Sequence, residues 1–144
     1  MTTATQLRRE FQEYLEENGM YYGVVDGPAN ILILPFGGHE HDTHVFCEFE
    51  ETDGPMGTVR LCSQDFAQAT DFQAALEKIN QINEDYRWVT TFMDAEGLIS
   101  ADLDALVHPG TVGMMVGKLA FTVSDIVEAI IDELQGVAVP CKLG

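Results

Sequence analysis

The chain is poor in basic residues. Its 144 residues include 7 Lys and Arg against 24 Asp and Glu, which gives a formal net charge of −17. A surface of this charge repels the phosphates of nucleic acids and the headgroups of anionic lipids. We therefore expect no direct nucleic-acid binding and no membrane binding. A partner is expected to be basic, or hydrophobic and in need of solubility.

The chain also lacks long hydrophobic runs. The longest, residues 31–36, is far shorter than the roughly 20 residues that span a bilayer. Residues 1–14 include Arg8, Arg9, Glu10 and Glu13 and contain no apolar core, so no signal peptide is expected. Together these absences predict a cytoplasmic protein.

Cysteines are few and odd in number, and no C-x-x-C motif occurs, which leaves a redox or zinc-ribbon function without support. Cys47 shares the alternation phase of Val45, whereas Cys62 lies opposite to the phase of Leu61. Their sulfurs are thus predicted to lie on opposite faces of a sheet, where they cannot bond. With Cys141, three free thiols are expected, as in a reducing compartment.

Motifs of common enzymes are absent as well. The chain contains no G-x-S-x-G, no P-loop and no G-x-G-x-x-G. Its acidic pairs at 16–17 and 84–85 lie at the ends of predicted helices, where solvated faces are the usual explanation. We therefore predict a protein that is not an enzyme and has no cofactor.

What the chain does contain is organised around residues 72–103. Thr70 and Gln73 have the spacing of a capping box, which predicts a helix start. From 88 to 93 the pattern changes to a period of two, and 94–97 is a turn before a second strand at 98–103. The apolar residues of the helix recur at three- and four-residue steps: Phe72, Ala75, Leu76, Ile79, Ile82 and Tyr86.

Before this stretch we predict a helix and then several strands. The helix at 5–18 stops at Gly19, where glycine suits the C′ position. The strand at 30–35 is apolar in both phases, which predicts a central strand covered on both faces. The predicted strands in this part of the chain are 20–25, 30–35, 44–50 and 58–62.

A final helix follows, predicted to be capped by Thr111. Its apolar stripe runs over 112–134, a length of about 35 Å, and polar residues near Thr122 allow a kink there. Gly113 and Gly117 are four residues apart, which is predicted to let another backbone approach closely. The resulting order, α-β-β-β(-β)-α-β-β-α, predicts an α+β fold with one domain at 1–136 and a C-terminal tail at 137–144.

Three residues of this last helix are candidates for a binding surface. Met114 and Phe121 lie off the apolar stripe and, with Met115 on the stripe, widen the apolar surface of the helix. Methionine adapts to varied partners, so these side chains fit a partner-binding role. Burial in the core is the alternative explanation.

A histidine-rich loop is the other candidate. His39, His41 and His44, with Glu40 and Asp42 between them, are ligand types for zinc or nickel. Neighbours in an extended loop point in different directions, however, so a polar loop without metal is the expected state. Binding of a metal or small ligand in this loop remains the alternative function.

The segment 79–83, Ile-Asn-Gln-Ile-Asn, followed by 88–92 and by Asp-Ala-Glu-Gly-Leu at 94–98, resembles the core of the YbjN family. That family is similar in fold to type III secretion chaperones, so the resemblance implies a twisted antiparallel sheet with helices that assembles as a dimer. It also implies a non-enzymatic protein that binds other proteins, described as a sensory transduction regulator. It identifies no catalytic or ligand residues.

The asparagines of this segment have a simpler physical role. Asn83 lies at the edge of the helix stripe and is predicted to bond the turn that leads to Trp88, whereas Asn80 lies off the stripe. The expected function is thus a homodimeric protein-binding module, chaperone-like or regulatory. An open sheet edge is expected to accept an extended segment.

Overall fold

The computed structural model describes residues 2–142. Mixed helices and strands in the predicted order confirm the α+β class. The helices are α1 (Ala4–Glu17), α2 (Phe72–Asp85) and α3 (Val112–Glu133). The strands are β1 (Gly23–Val24), β2 (Asn30–Phe36), β3 (Thr43–Glu51), β4 (Gly57–Ala69), β5 (Thr90–Met93), β6 (Leu98–Val107) and β7 (Ala138–Pro140).

The seven strands form one antiparallel sheet. Six of them follow the order β1-β2-β3-β4-β6-β5, and β7 pairs with β4 outside this order. The register of β4 against β6 shifts between Ser63 and Ala67, and β7 pairs with β4 beyond this irregularity. Helices α1 and α3 pack on one face of the sheet and against each other. The core lies between these two helices and the sheet. Its largest fully buried side chains include Phe11, Leu15, Leu34, Phe49, Leu61 and Ile130.

The segment predicted as a tail, 137–144, contains β7, which sequence analysis missed. Its three residues, Ala-Val-Pro, are too few for an alternation pattern, and they pair only because β4 extends past the end of β3. Met1, Leu143 and Gly144, which the predicted domain and tail include, lie outside the described residues.

The strand predicted to be central is not central. β2 lies between β3 and the two-residue β1, near one edge of the sheet. Leu32 and Leu34 are buried, whereas Ile31 and Ile33 are half-buried on the opposite face. An unbroken apolar run predicts two covered faces, but here one face is covered by helices and the other is open.

The capping contacts at two predicted helix starts need correction. Asp71, and not Thr70, caps α2, since its carboxylate accepts from the Ala74 N–H at 3.1 Å. The Thr70 N–H instead donates to the carbonyl of Val137, just before β7. At α3 Thr111 is the N-cap residue as predicted, but its hydroxyl donates to the carbonyl of His108 and makes no capping hydrogen bond to the helix. The helix then runs unbroken past Thr122.

All three cysteines are free, and Cys47 and Cys62 lie in opposite phases of the sheet as predicted. Burial raises the pKa of the Cys47 thiol to about 12 and that of Cys62 to about 11. Within residues 2–142, no helix combines the length and apolarity needed to cross a bilayer.

Candidate functional site

The close packing of α1 on α3 depends on two glycines and one tyrosine. A Cβ atom added at Gly117 would lie 3.2 Å from Cε1 of Tyr14, and one added at Gly113 would lie 2.5 Å from its Cβ and Cδ2 atoms. The predicted neighbour of these glycines was another backbone, but the group in closest contact with both is the side chain of Tyr14. Because neither glycine has a side chain, α1 can lie directly against the first turns of α3.

This packing leaves a surface groove of about 710 Å³ between α1 and the start of α3. Tyr14 and Gly113 lie at the contact of the two helices. Two of the predicted binding residues line the groove, Met114 with 62% of its surface exposed and Met115 with 37%. Its full lining is Glu10, Glu13, Tyr14, Glu17, Gly110, Thr111, Gly113, Met114, Met115 and Lys118.

The charged residues of the groove are three glutamates of α1 and Lys118 of α3, and one of the glutamates already has hydrogen-bond partners. The two carboxylate oxygens of Glu10 accept from the N–H groups of Gly110 and Val112, at 2.8 and 2.9 Å. Glu10 thus serves the N-terminus of α3, where unpaired N–H groups favour an anion. Glu13 and Glu17 are exposed, so the groove combines an apolar surface with a negative rim.

Phe121 lies two turns further along α3 and does not line the groove. Its ring packs edge-on against Phe36, with 4.9 Å between ring centroids, and 52% of its surface is exposed. The structure therefore brings Met114 and Met115 together and places Phe121 apart. Tyr14 was predicted as part of the apolar side of the first helix and not as a residue of the site. The signal of the site in this part of the sequence is the spacing of Glu10, Glu13 and Glu17, which marks one acidic face of the helix.

The histidines of the loop do not converge. His44 lies on the open face of β3, opposite Pro35 of β2. His41 points to α3, with its Nε2 atom 3.3 Å from Oδ1 of Asp132 and 3.9 Å from Oε2 of Glu40. Within residues 2–142, this trio is the group placed to hold a metal ion, and neither His39 nor His44 belongs to it.

The loop between β2 and β3 is held on α3 at several points. The Glu40 N–H donates to the carboxylate of Glu128 at 2.9 Å, and the hydroxyls of Thr43 and Ser124 share a buried hydrogen bond of 2.6 Å. Backbone N–H groups, chiefly that of Glu40, lower the pKa of Glu128. The position of the loop is therefore fixed by its contacts with α3.

The face of the sheet away from α1 and α3 carries an apolar row. Register pairs place Ile33 beside Phe46 and Phe46 beside Cys62, across three neighbouring strands. All three side chains are half-buried. The next row is polar, with an exposed ion pair of 3.0 Å between Arg60 Nε and Asp104 Oδ1.

Asn83 closes part of one sheet edge. Its side-chain amide donates to the carbonyl of Thr91 at 2.9 Å and accepts from the N–H of Thr91 at 2.8 Å. The predicted bond to the turn before Trp88 is thus wrong, because Asn83 reaches the strand itself. Since β5 is an edge strand, this amide occupies backbone groups that an added strand would need.

Comparison with known proteins agrees with this architecture. The model of the YbjN family, described as "Putative bacterial sensory transduction regulator", matches residues 8–135. The crystal structure of YbjN from E. coli, described as "a putative transcription regulator", has a TM-score of 0.56 at 12% identity, over 93% of this chain and 96% of that chain. At this identity the likeness shows the fold alone. A search of curated proteins finds no match. Because the family match spans most of the sequence, including the segment at 79–98, the chain belongs to the YbjN family.

Proposed function

We propose that this protein is a non-enzymatic regulator that acts by binding another protein in the groove between α1 and α3. The observation that carries the proposal is the exposure of Met114 and Met115 beside Tyr14 in one concave surface. Exposed apolar side chains in a groove stabilise a complex when a partner removes them from water. Methionine is unbranched and flexible, so the same surface adapts to partners of different shape.

The chemistry of the groove favours one kind of partner, an amphipathic segment with basic residues beside its apolar ones. Its apolar side chains would pack on the two methionines, and its basic residues would meet Glu13 and Glu17. The net charge of −17 adds long-range attraction for a basic partner and raises the association rate. A helix laid in the groove is the mode of recognition that suits this pattern.

We also propose that two copies of the chain associate through the open face of the sheet. Support comes from the row of Ile33, Phe46 and Cys62, an apolar strip on a face that the helices leave uncovered. Burying such a strip against its own copy forms a two-fold interface without a further partner. The groove lies on the opposite face, so dimerisation through the sheet leaves it accessible.

Two possibilities for the outcome of binding follow from the same surface. A regulator holds its partner and changes what the partner does, whereas a chaperone-like protein keeps an apolar segment soluble until release. The family description supports the regulatory form. The three free thiols support a reducing location, and we propose the cytoplasm.

The test of partner binding compares single charge insertions in two places. Met114→Glu puts a carboxylate in the groove, and Tyr21→Glu puts one at a site that is 86% exposed and outside it. Tagged variants are used to capture proteins from native lysate, and captured proteins are quantified by mass spectrometry. We expect Met114→Glu to reduce capture of the partner by about tenfold or more, as for a hot-spot loss above 1.4 kcal/mol.

Tyr21→Glu is expected to capture as much as the parent. Equal capture by all three proteins would contradict a role for the groove. A Glu13→Lys, Glu17→Lys double variant separates the charge contribution, since it removes the negative rim and leaves the methionines in place. It is expected to weaken capture at low salt and to match the parent at high salt.

The test of self-association uses sedimentation velocity. Phe46→Glu places a charge in the apolar strip, and circular dichroism reports whether the variant remains folded. We expect a dimer for the parent and for Tyr21→Glu, and a folded monomer for Phe46→Glu. A parent that stays monomeric at high concentration, or a Phe46→Glu variant that stays dimeric, would refute this interface.

A further inference from the structure

Donor atoms from distant parts of the chain meet beside the second half of α3. Glu40 and His41 come from the loop between β2 and β3, and Asp132 comes from the last turn of the helix, 91 residues after His41. One carboxylate oxygen of each acid and a ring nitrogen of His41 all lie within 4.8 Å of one another. Neutral imidazole and carboxylate oxygens are common ligands of divalent transition metals.

The separations are close to those that coordination requires. Tetrahedral bonds of about 2.0–2.2 Å place neighbouring donor atoms roughly 3.3–3.6 Å apart. Nε2 of His41 lies 3.3 Å from the Asp132 oxygen and 3.9 Å from the Glu40 oxygen. The two carboxylate oxygens lie within 4.8 Å of each other, so side-chain rotations that bring them closer would place three ligands on one ion.

The backbone that carries these donors is held in place. Glu128, one turn before Asp132, accepts the N–H of Glu40, and the hydroxyl pair of Thr43 and Ser124 fixes the end of the loop. An ion binding here would therefore order side chains only, which keeps the entropy cost of binding low.

The surroundings supply both charge and space. A cavity of about 320 Å³ adjoins the donors and leaves room for a water molecule as a further ligand. Glu40, Asp42 and Lys142 are the charged residues that line it. Two further carboxylates lie beside the donors, since Asp132 belongs to the trio and Glu128 accepts the N–H of Glu40, so the local charge favours a cation.

From this geometry we propose a binding site for a divalent transition metal formed by Glu40, His41 and Asp132. Three protein ligands and an open position are the arrangement of an exchangeable site. The ion would link the β2–β3 loop to the last turn of α3. His39 and His44 have no part in it, which distinguishes this site from a histidine cluster confined to the loop.

The experiment is isothermal titration of zinc chloride into untagged, chelator-treated protein near neutral pH. The parent is expected to bind one zinc ion per chain. His41→Gln and Asp132→Asn are each expected to weaken zinc binding by about tenfold or more, since each removes a ligand. The matched controls, His39→Gln and His44→Gln, are expected to bind as the parent does.

Thermal melting of the same proteins gives a second readout, because an ion that binds only the folded chain raises the melting temperature. Zinc is expected to raise it for the parent and both controls and to leave His41→Gln unchanged. Loss of binding in His39→Gln or His44→Gln with retention in Asp132→Asn would overturn the proposal and indicate a loop-only cluster. Absence of zinc binding by the parent at millimolar zinc would also overturn it.

Discussion

Replacing Asn83 with alanine tests the contact that ties α2 to the edge of the sheet. The Asn83 amide makes two hydrogen bonds, at 2.9 and 2.8 Å, with the backbone of Thr91, which is 2% exposed. Each such bond contributes about 0.5–1.5 kcal/mol, and a buried backbone group left without a partner costs about 1–3 kcal/mol. The helix gains at most about 0.7 kcal/mol from alanine. The net loss in the free energy of unfolding is therefore about 2 kcal/mol.

Urea denaturation measures this loss, and a lower midpoint at unchanged slope identifies a change in stability. The matched control is Asn80→Ala, since Asn80 lies one turn earlier and is exposed. The free energy of unfolding of the control is expected to lie within about 0.5 kcal/mol of that of the parent. Hydrogen exchange adds a local readout, because the Thr91 N–H loses its acceptor only in Asn83→Ala. Equal stability of the two variants, or unchanged protection at Thr91, would refute the role assigned to Asn83.

Three further predictions concern packing, pH and thiol reactivity. Gly113→Ala should lower the free energy of unfolding in urea by about 1–3 kcal/mol, because its Cβ would lie 2.5 Å from atoms of Tyr14; a variant as stable as the parent would contradict this packing. Burial raises the pKa of Asp102 in the folded protein. The carboxyl group therefore contributes to stability below its ordinary pKa of about 3.9, and this contribution is lost as the pH rises through the pKa of the folded protein. In thermal melts, Asp102→Asn should therefore have a higher melting temperature than the parent at pH 7 and no such advantage at pH 3. A higher melting temperature of the variant at pH 3 only would exclude this explanation. With a thiol pKa of about 12, Cys47 should resist an aromatic disulfide reagent at pH 8 in the folded protein while Cys141 reacts, and all three thiols should react in denaturant.

Local patterns predicted much of this fold. The alternation of Val45, Cys47 and Phe49 placed these side chains on the buried face of β3, as observed. The helical period predicted burial of Ile79 and Ile82 correctly. These predictions succeed because the facing of a side chain follows from the period of its own element.

The features that sequence analysis missed depend on residues far apart in the chain. Glu10 caps the start of α3 across 102 positions, and no local pattern marks it as a cap. Asp132 lies 91 positions from His41, so a search within the histidine loop could not include it. The groove itself exists only because Tyr14 of one helix meets the glycines of another. The two methionines were predicted as a binding surface, but the concave shape and acidic rim beside them were not.

The central claim, that this protein acts by holding another protein in the α1–α3 groove, is tested most directly by crosslinking in the native cell. A photoreactive amino acid placed at position 114 reports what contacts the groove, and one placed at position 21 reports what contacts an exposed surface outside it. The account predicts a discrete crosslinked adduct from position 114 that contains a second, basic protein, is absent from position 21 and disappears in the Glu13→Lys, Glu17→Lys background at low salt. The same adducts from both positions, or none from position 114, would contradict it.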